Sequence, residues 1–199
     1  MIDDLDRTLE KLFERGLPQD LVEQVTISFA TPDDDFPPTS VALPAIDLFL
    51  YDVRENRDLR SNEWRVERRS DGTAKKHRPP TRVDCSYLVT AWPSQSAPNP
   101  ALDEHYLLSE VMEVLLRHPT IPEGILQGRL QGQEPPLPAI TLQPGRLQSL
   151  GEFWQALGGK PKAALNYTVT IGVEVHKPIE AGPPVTDSLL KFETGVEEG

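Results

Sequence analysis

Apolar residues recur every three or four positions at the start of the chain. Ile2, Leu5, Leu9 and Leu12 share one face of a helix predicted over residues 2–15, which Gly16 and Pro18 stop. Asp3, Asp4 and Asp6 fall at its N-terminal end, where the helix dipole favours carboxylates. The period then changes to two. Val25, Ile27 and Phe29 alternate with Thr26 and Ser28, which predicts a strand over residues 21–31. Residues 44–53 are apolar at nearly every position, the pattern of a central strand covered on both faces. Residues 82–92 alternate again, with Val83, Cys85, Tyr87 and Val89 on one side. The clearest amphipathic strand is residues 164–175, where Leu165, Tyr167, Val169, Ile171 and Val173 face one way.

Between these strands lie elements of other kinds. Residues 62–69 and 73–78 flank Ser70-Asp71-Gly72, a hairpin signal, and carry mostly basic side chains; such a hairpin projects from the core. Asn99 followed by Pro100 opens a helix to residue 118, apolar over much of its circumference and therefore expected to be the best-buried helix. Residues 125–142 mix Gly, Gln and Pro, with short strands suggested around Leu126, Leu130 and Ile140. Ser149-Leu150-Gly151-Glu152 fits a capping box for a short helix carrying Phe153, Trp154 and Leu157. The order predicts an α+β fold: a mixed, mostly antiparallel sheet with helices packed on one face. Residues 1–177 form the domain, and 178–199, short of core residues, read as a C-terminal tail or arm.

Composition narrows the function classes. The net charge of −11 argues against a nucleic-acid partner, and no apolar run is long enough to span a membrane. The single cysteine, Cys85, excludes an internal disulfide and suits synthesis in a reducing cytosol. The charge is unevenly spread. Residues 54–82 carry ten Lys/Arg against five Asp/Glu, a balance of +5, so the remaining residues sum to −16. Arg54, Arg57, Arg60, Arg65, Arg68, Arg69, Lys75 and Lys76 are the candidate contacts to carboxylates on a neighbour, another copy of the same chain included; a solvated hairpin of mixed charge is the plainer alternative. Leu189, Leu190 and Phe192 give the tail an apolar patch suited to docking.

Reactive chemistry is sparse. Asp103-Glu104-His105 are neighbours on a helix and point different ways, so they suit dipole complementation better than metal binding. Cys85 sits on the apolar side of a strand, as a buried inert thiol does. Glycine-rich phosphate loops and the Gly-x-Ser-x-Gly elbow do not occur. No catalytic, cofactor-binding or metal-binding residue is assigned.

At Leu48-Phe49-Leu50-Tyr51-Asp52-Val53-Arg54-Glu55-Asn56 and Val83-Asp84-Cys85-Ser86-Tyr87-Leu88-Val89-Thr90-Ala91-Trp92, the sequence resembles a known family. Asp103-Glu104-His105 with Leu107-Leu108, Phe153-Trp154 with Ala156-Leu157, and Leu165-Asn166-Tyr167-Thr168-Val169-Thr170 continue the likeness. The family is the N-terminal domain of the cap, or tail-terminator, proteins of phage-tail-like extracellular contractile injection systems. The resemblance implies a tail-terminator-like fold, a non-enzymatic role without cofactors, and a six-membered ring of self-copies. That ring ends the inner tube and sheath and stops their polymerisation. It also implies assembly in the cytoplasm into a particle that can be released. Another component of such a particle, a tube-completion or baseplate adaptor protein, is the alternative, followed by a stand-alone small-molecule binding domain.

Overall fold

A computed structural model describes residues 1–70, 72–133, 136–142, 150–158 and 161–181. The chain divides into two units, Met1–Arg60 with Thr81–Val173, and Ser61–Pro80 with Glu174–Gly199.

In the first unit, helix α1 (Ile2–Gly16) buries Leu5, Leu9, Leu12 and Phe13, the face that the four-residue spacing predicts. The strand expected over residues 21–31 is shorter. Leu21 and Val22 belong to a helical turn, α2 (Gln19–Val22), and only β1 (Thr26–Ser28) is extended. The turn follows Pro18, whose carbonyl accepts from the backbone N–H of both Leu21 and Val22, so local closure wins over extension here. Strands β2 (Ala45–Glu55) and β5 (Thr81–Trp92) are the long ones. With β6 (Ala139–Thr141) and β7 (Leu165–Val173) they form a five-stranded sheet in the order β1-β2-β5-β7-β6. Only β1 and β2 run parallel; every other pair is antiparallel. β2 is buried at Ala45–Leu48 and opens towards solvent beyond, because β1 accompanies only its first three residues.

The sheet's alternation sorts its residues onto two faces. Ile46 and Leu48 of β2, Cys85, Tyr87 and Val89 of β5, and Leu165, Tyr167, Val169 and Ile171 of β7 join the core beneath α1 and α3 (Pro100–Arg117). α3 is not buried all round. Leu107, Val111, Val114 and Leu115 face the core, while Leu102, Tyr106 and Leu116 are exposed. The two long helices meet at Gly16, where a Cβ would lie 2.7 Å from Val114 Cγ1. Gly-rich residues 123–130 contribute two 3₁₀ turns, at Glu123–Ile125 and Gly128–Leu130, in place of the expected strands. They bury Ile125 and Leu130 against the core. Ile140 does lie in a strand, β6.

The opposite face is built differently. α4 (Leu150–Ala156) lies on it, with Phe153 at 6.1 Å from Phe49 and 6.3 Å from Tyr51 between ring centroids. Beside these rings the face is polar. Buried Asp84 accepts from Thr170 Oγ1 at 2.7 Å and Asn56 Nδ2 at 3.0 Å, and Ser86 bonds Thr168 at 3.1 Å. At the β6 side, the Gln133 side-chain amide copies a strand. Its Nε2 donates to Gly172 O at 2.7 Å and its Oε1 accepts from Gly172 N at 2.9 Å.

The second unit holds a three-stranded antiparallel sheet in the order β3 (Arg65–Arg68), β4 (Ala74–His77), β8 (Ile179–Ala181). The hairpin register pairs Arg65 with His77 and Arg68 with Ala74. Gly72 supplies the turn with φ 83°, a backbone region open to glycine. The tail expected from residue 178 thus begins as a strand, since Lys75 and Lys76 of β4 pair with Glu180 and Ile179. Such a non-local partner is invisible to local pattern.

Two outcomes follow from the first unit. Asp47 is fully buried, its Oδ1 accepts from Ala30 N at 3.0 Å, and burial pushes its carboxyl up to about 6 against the opposing bonds from Ser28 and Ala30. A carboxyl raised in the folded state binds its proton more tightly there than in the unfolded chain. Its protonation therefore adds stability as pH falls through about 6, and ionisation removes that stability as pH rises. Unfolding titrations should show a contribution of about 1 kcal/mol gained between pH 7 and pH 5. Asp47→Asn should erase that part of the slope; an unchanged slope would refute the assignment. Separately, Gly16→Ala should destabilise the fold by about 1–2 kcal/mol through overpacking against Val114. The Gly16→Ala/Val114→Ala double variant should lose less stability than the two single losses added together, a coupling that a double-mutant cycle measures.

Candidate functional site

The basic segment is where the sequence places its candidate contacts, and the structure divides those side chains by their partners. Arg54, at the end of β2, is clamped by its own strand: Nε and Nη2 donate to the two oxygens of Asp52 at 2.6 and 2.7 Å. Residues two apart on a strand share a face, which makes this fork possible. The Asp52 bonds hold the Arg54 proton more firmly than usual. Arg60 donates Nε and Nη2 to Glu55 Oε1 at 3.0 and 2.6 Å. Arg57 lies exposed in the loop between them, with no side-chain partner among the described residues.

The small sheet sorts the other five by face. Arg65, Glu67, Lys75, His77 and Glu180 fall on one side by register, and Arg69 continues that row. Their charges are largely answered there. Arg69 holds Glu180 with both terminal nitrogens at 3.2 Å, Lys75 Nζ is 4.0 Å from the same carboxylate, and His77 Nε2 is 3.3 Å from Glu67. The other side carries Val66, Lys76 and Ile179 in one cross-strand row, with Arg68, Ala74 and Ala181 in the next. Trp64 and Arg78 extend this side, the guanidinium 5.2 Å from the ring centroid. No carboxylate stands in its two rows, and Arg68 and Lys76 have no ion-pair partner among the described residues. Sequence reasoning found the basic residues by counting. It did not find Glu180, which sits 111 positions from Arg69.

The remaining chemical candidates become structural. Cys85 is buried, and burial pushes its thiol up to about 12, far from a thiolate at neutral pH. Glu104 pairs with Lys162, whose ammonium lies 4.5 Å over the Trp92 ring, while Asp103 and His105 are exposed. Among the described residues no group of three His, Cys, Asp or Glu could hold a metal ion, and no helix is long and apolar enough to cross a membrane. Leu189, Leu190 and Phe192 lie outside the described residues.

Two solved structures match along the whole fold. One is the sheath/tube terminator of the extracellular contractile injection system PVC, in its extended state. It has a TM-score of 0.71 and 26% identity, covering 100% of this chain and 65% of that one. The other is the tube-terminating cap of the anti-feeding prophage, with a TM-score of 0.64 and 26% identity over 96% of this chain and 61% of that one. The chain therefore spans somewhat under two thirds of the length of these relatives. Among curated proteins none matches. The α+β architecture expected from the sequence is that of these terminators, and a family model, the Pvc16 N-terminal domain, matches residues 4–187. The chain belongs to the Pvc16 N-terminal domain family.

Proposed function

We propose that this chain is a structural cap of a contractile injection particle, ending the inner tube and sheath and stopping their growth. The observation that carries the reading is the match over its full length to a protein described as a sheath/tube terminator. A second match, to a tube-terminating cap, favours the terminating end over a tube-completion or baseplate position. The physical requirement is simple. A tube grows because each ring exposes a surface that fits the next, and a cap must fit on one side only. The work is mechanical and calls for no cofactor.

The cap is a closed ring of copies of this chain, six in number, each meeting the next through a heterologous contact. Its partners are its own copies, the inner tube protein and the sheath protein, and it assembles in the cytoplasm before the particle is released. The basic side chains of residues 54–82 face a neighbouring copy or the tube, and Leu189, Leu190 and Phe192 face the sheath. That apolar segment follows β8, so the sheath contact can be tested without removing the strand.

A producing strain lacking this chain should yield tubes and sheaths of uncontrolled length in negative-stain images, and a tagged copy should mark one particle end. Particles of normal length in that strain would refute the cap reading. Deleting residues 182–199 while keeping Ile179–Ala181 should loosen the sheath end and leave the ring in place. A ring that no longer forms would assign those residues to the ring contact.

A further inference from the structure

Two exposed surfaces of this chain are complementary in both charge and polarity. The first is the side of the small sheet that carries Val66, Lys76 and Ile179 in one row and Arg68 in the next. Trp64, Val66 and Ile179 are 42%, 47% and 51% exposed. Large apolar side chains so exposed, on a face that is basic and bears no carboxylate in its rows, are costly unless a partner covers them. The opposite side of the same sheet has its charges answered by Glu67 and Glu180, so the segregation is built into the strand alternation.

The second surface is the outer stripe of α3. Leu102, Tyr106 and Leu116 are 63%, 49% and 51% exposed. Glu110 and Glu113 stand between them on the same side of the helix, with Asp103 at the start. The only ion-pair partner of Glu113 among the described residues is Arg117, at 4.0 Å, the outer limit of such a pair. This stripe is why α3 is not buried all round: its apolar residues exceed what the core can cover.

We propose that the basic-apolar side of the small sheet in one copy seats on the acidic-apolar stripe of α3 in the next copy. The occupant is a second copy of this chain for three reasons. The surfaces match in sign, both are apolar at their centres, and they are different patches, as a head-to-tail ring contact requires. Arg68 and Lys76 meet Glu110 and Glu113, while Val66 and Ile179 cover Tyr106 and its neighbours. This contact rests on the cap reading and names the surfaces by which the ring closes.

The test uses capped particles carrying the full chain. In a Val66→Cys/Tyr106→Cys variant, Cys85 is buried and does not compete for a short bismaleimide cross-linker. The expected result is a ladder of covalent multimers of this chain on a reducing gel, absent from either single variant. Arg68→Glu/Lys76→Glu should reduce the ladder by about tenfold or more through like-charge repulsion, and adding Glu110→Lys/Glu113→Lys should restore it. The variant chain remaining on the particle end without a ladder, or linking only within itself or to tube or sheath protein, would overturn the contact and leave the cap reading standing. Absence of the unaltered chain from particle ends would overturn the cap reading and this contact together.

Discussion

Strand β5 holds the first unit together through its alternation. Its twelve residues pair with β2 on one edge and β7 on the other. Cys85, Tyr87 and Val89 enter the core under the long helices, so those helices are positioned only if this register holds. A slip of one residue would turn Asp84, Ser86 and Thr90 into that core and leave charged and hydroxyl groups there without partners. Two bonds oppose the slip directly. Tyr87 Oη donates to Asp6 Oδ1 at 2.8 Å, tying the strand to α1, and Thr170 Oγ1 donates to Asp84 on the other face. Burial raises the Tyr87 phenol, which keeps its proton and donates in that tie; burial also raises the Asp6 carboxyl, and the bond from Tyr87 opposes that rise.

The two faces of the main sheet do different work. The helix-covered face is apolar and supplies most of the driving force for folding. The other face is a network of hydroxyls, amides and carboxylates, in which register is written as donor meeting acceptor. A polar network gains little net energy per bond but is costly to mispair, so it selects one alignment among many that would bury similar area. Asp47 shows the cost of the device. It anchors Ala30 and the departure of the chain from β1, while its second oxygen has no hydrogen-bond partner among the described residues.

Local pattern carried the elements whose apolar residues keep one period throughout. α1, β5 and β7 were legible because the residues at that period are the ones that enter the core, although β5 is buried on its polar face as well. The turn of α2 was not, since Leu21 and Val22 read equally well as strand residues. α3 is less buried than its apolar pattern predicts because a sequence does not say how much core is available, and Leu102, Tyr106 and Leu116 are the surplus. The candidate contacts were legible as charges and not as a surface. Whether Arg69 is free or engaged depends on Glu180, and which side Lys76 shares with Val66 depends on strand register. Both are long-range facts that a count of residues cannot supply.

The Gln133 clamp bears on how such a sheet survives crowding. A sheet ending in open backbone invites any extended chain to join it, which is the route to aggregation. Here β7 runs past the short strand β6, and the Gln133 amide occupies both hydrogen-bonding groups of Gly172 where another strand would dock. Thr170 N donates to Pro138 O, and the 119–121 segment bonds the backbone of Leu137 and Ala139, where β6 begins. At Gly172 and along residues 137–139 the backbone groups that an added strand would need are therefore already taken.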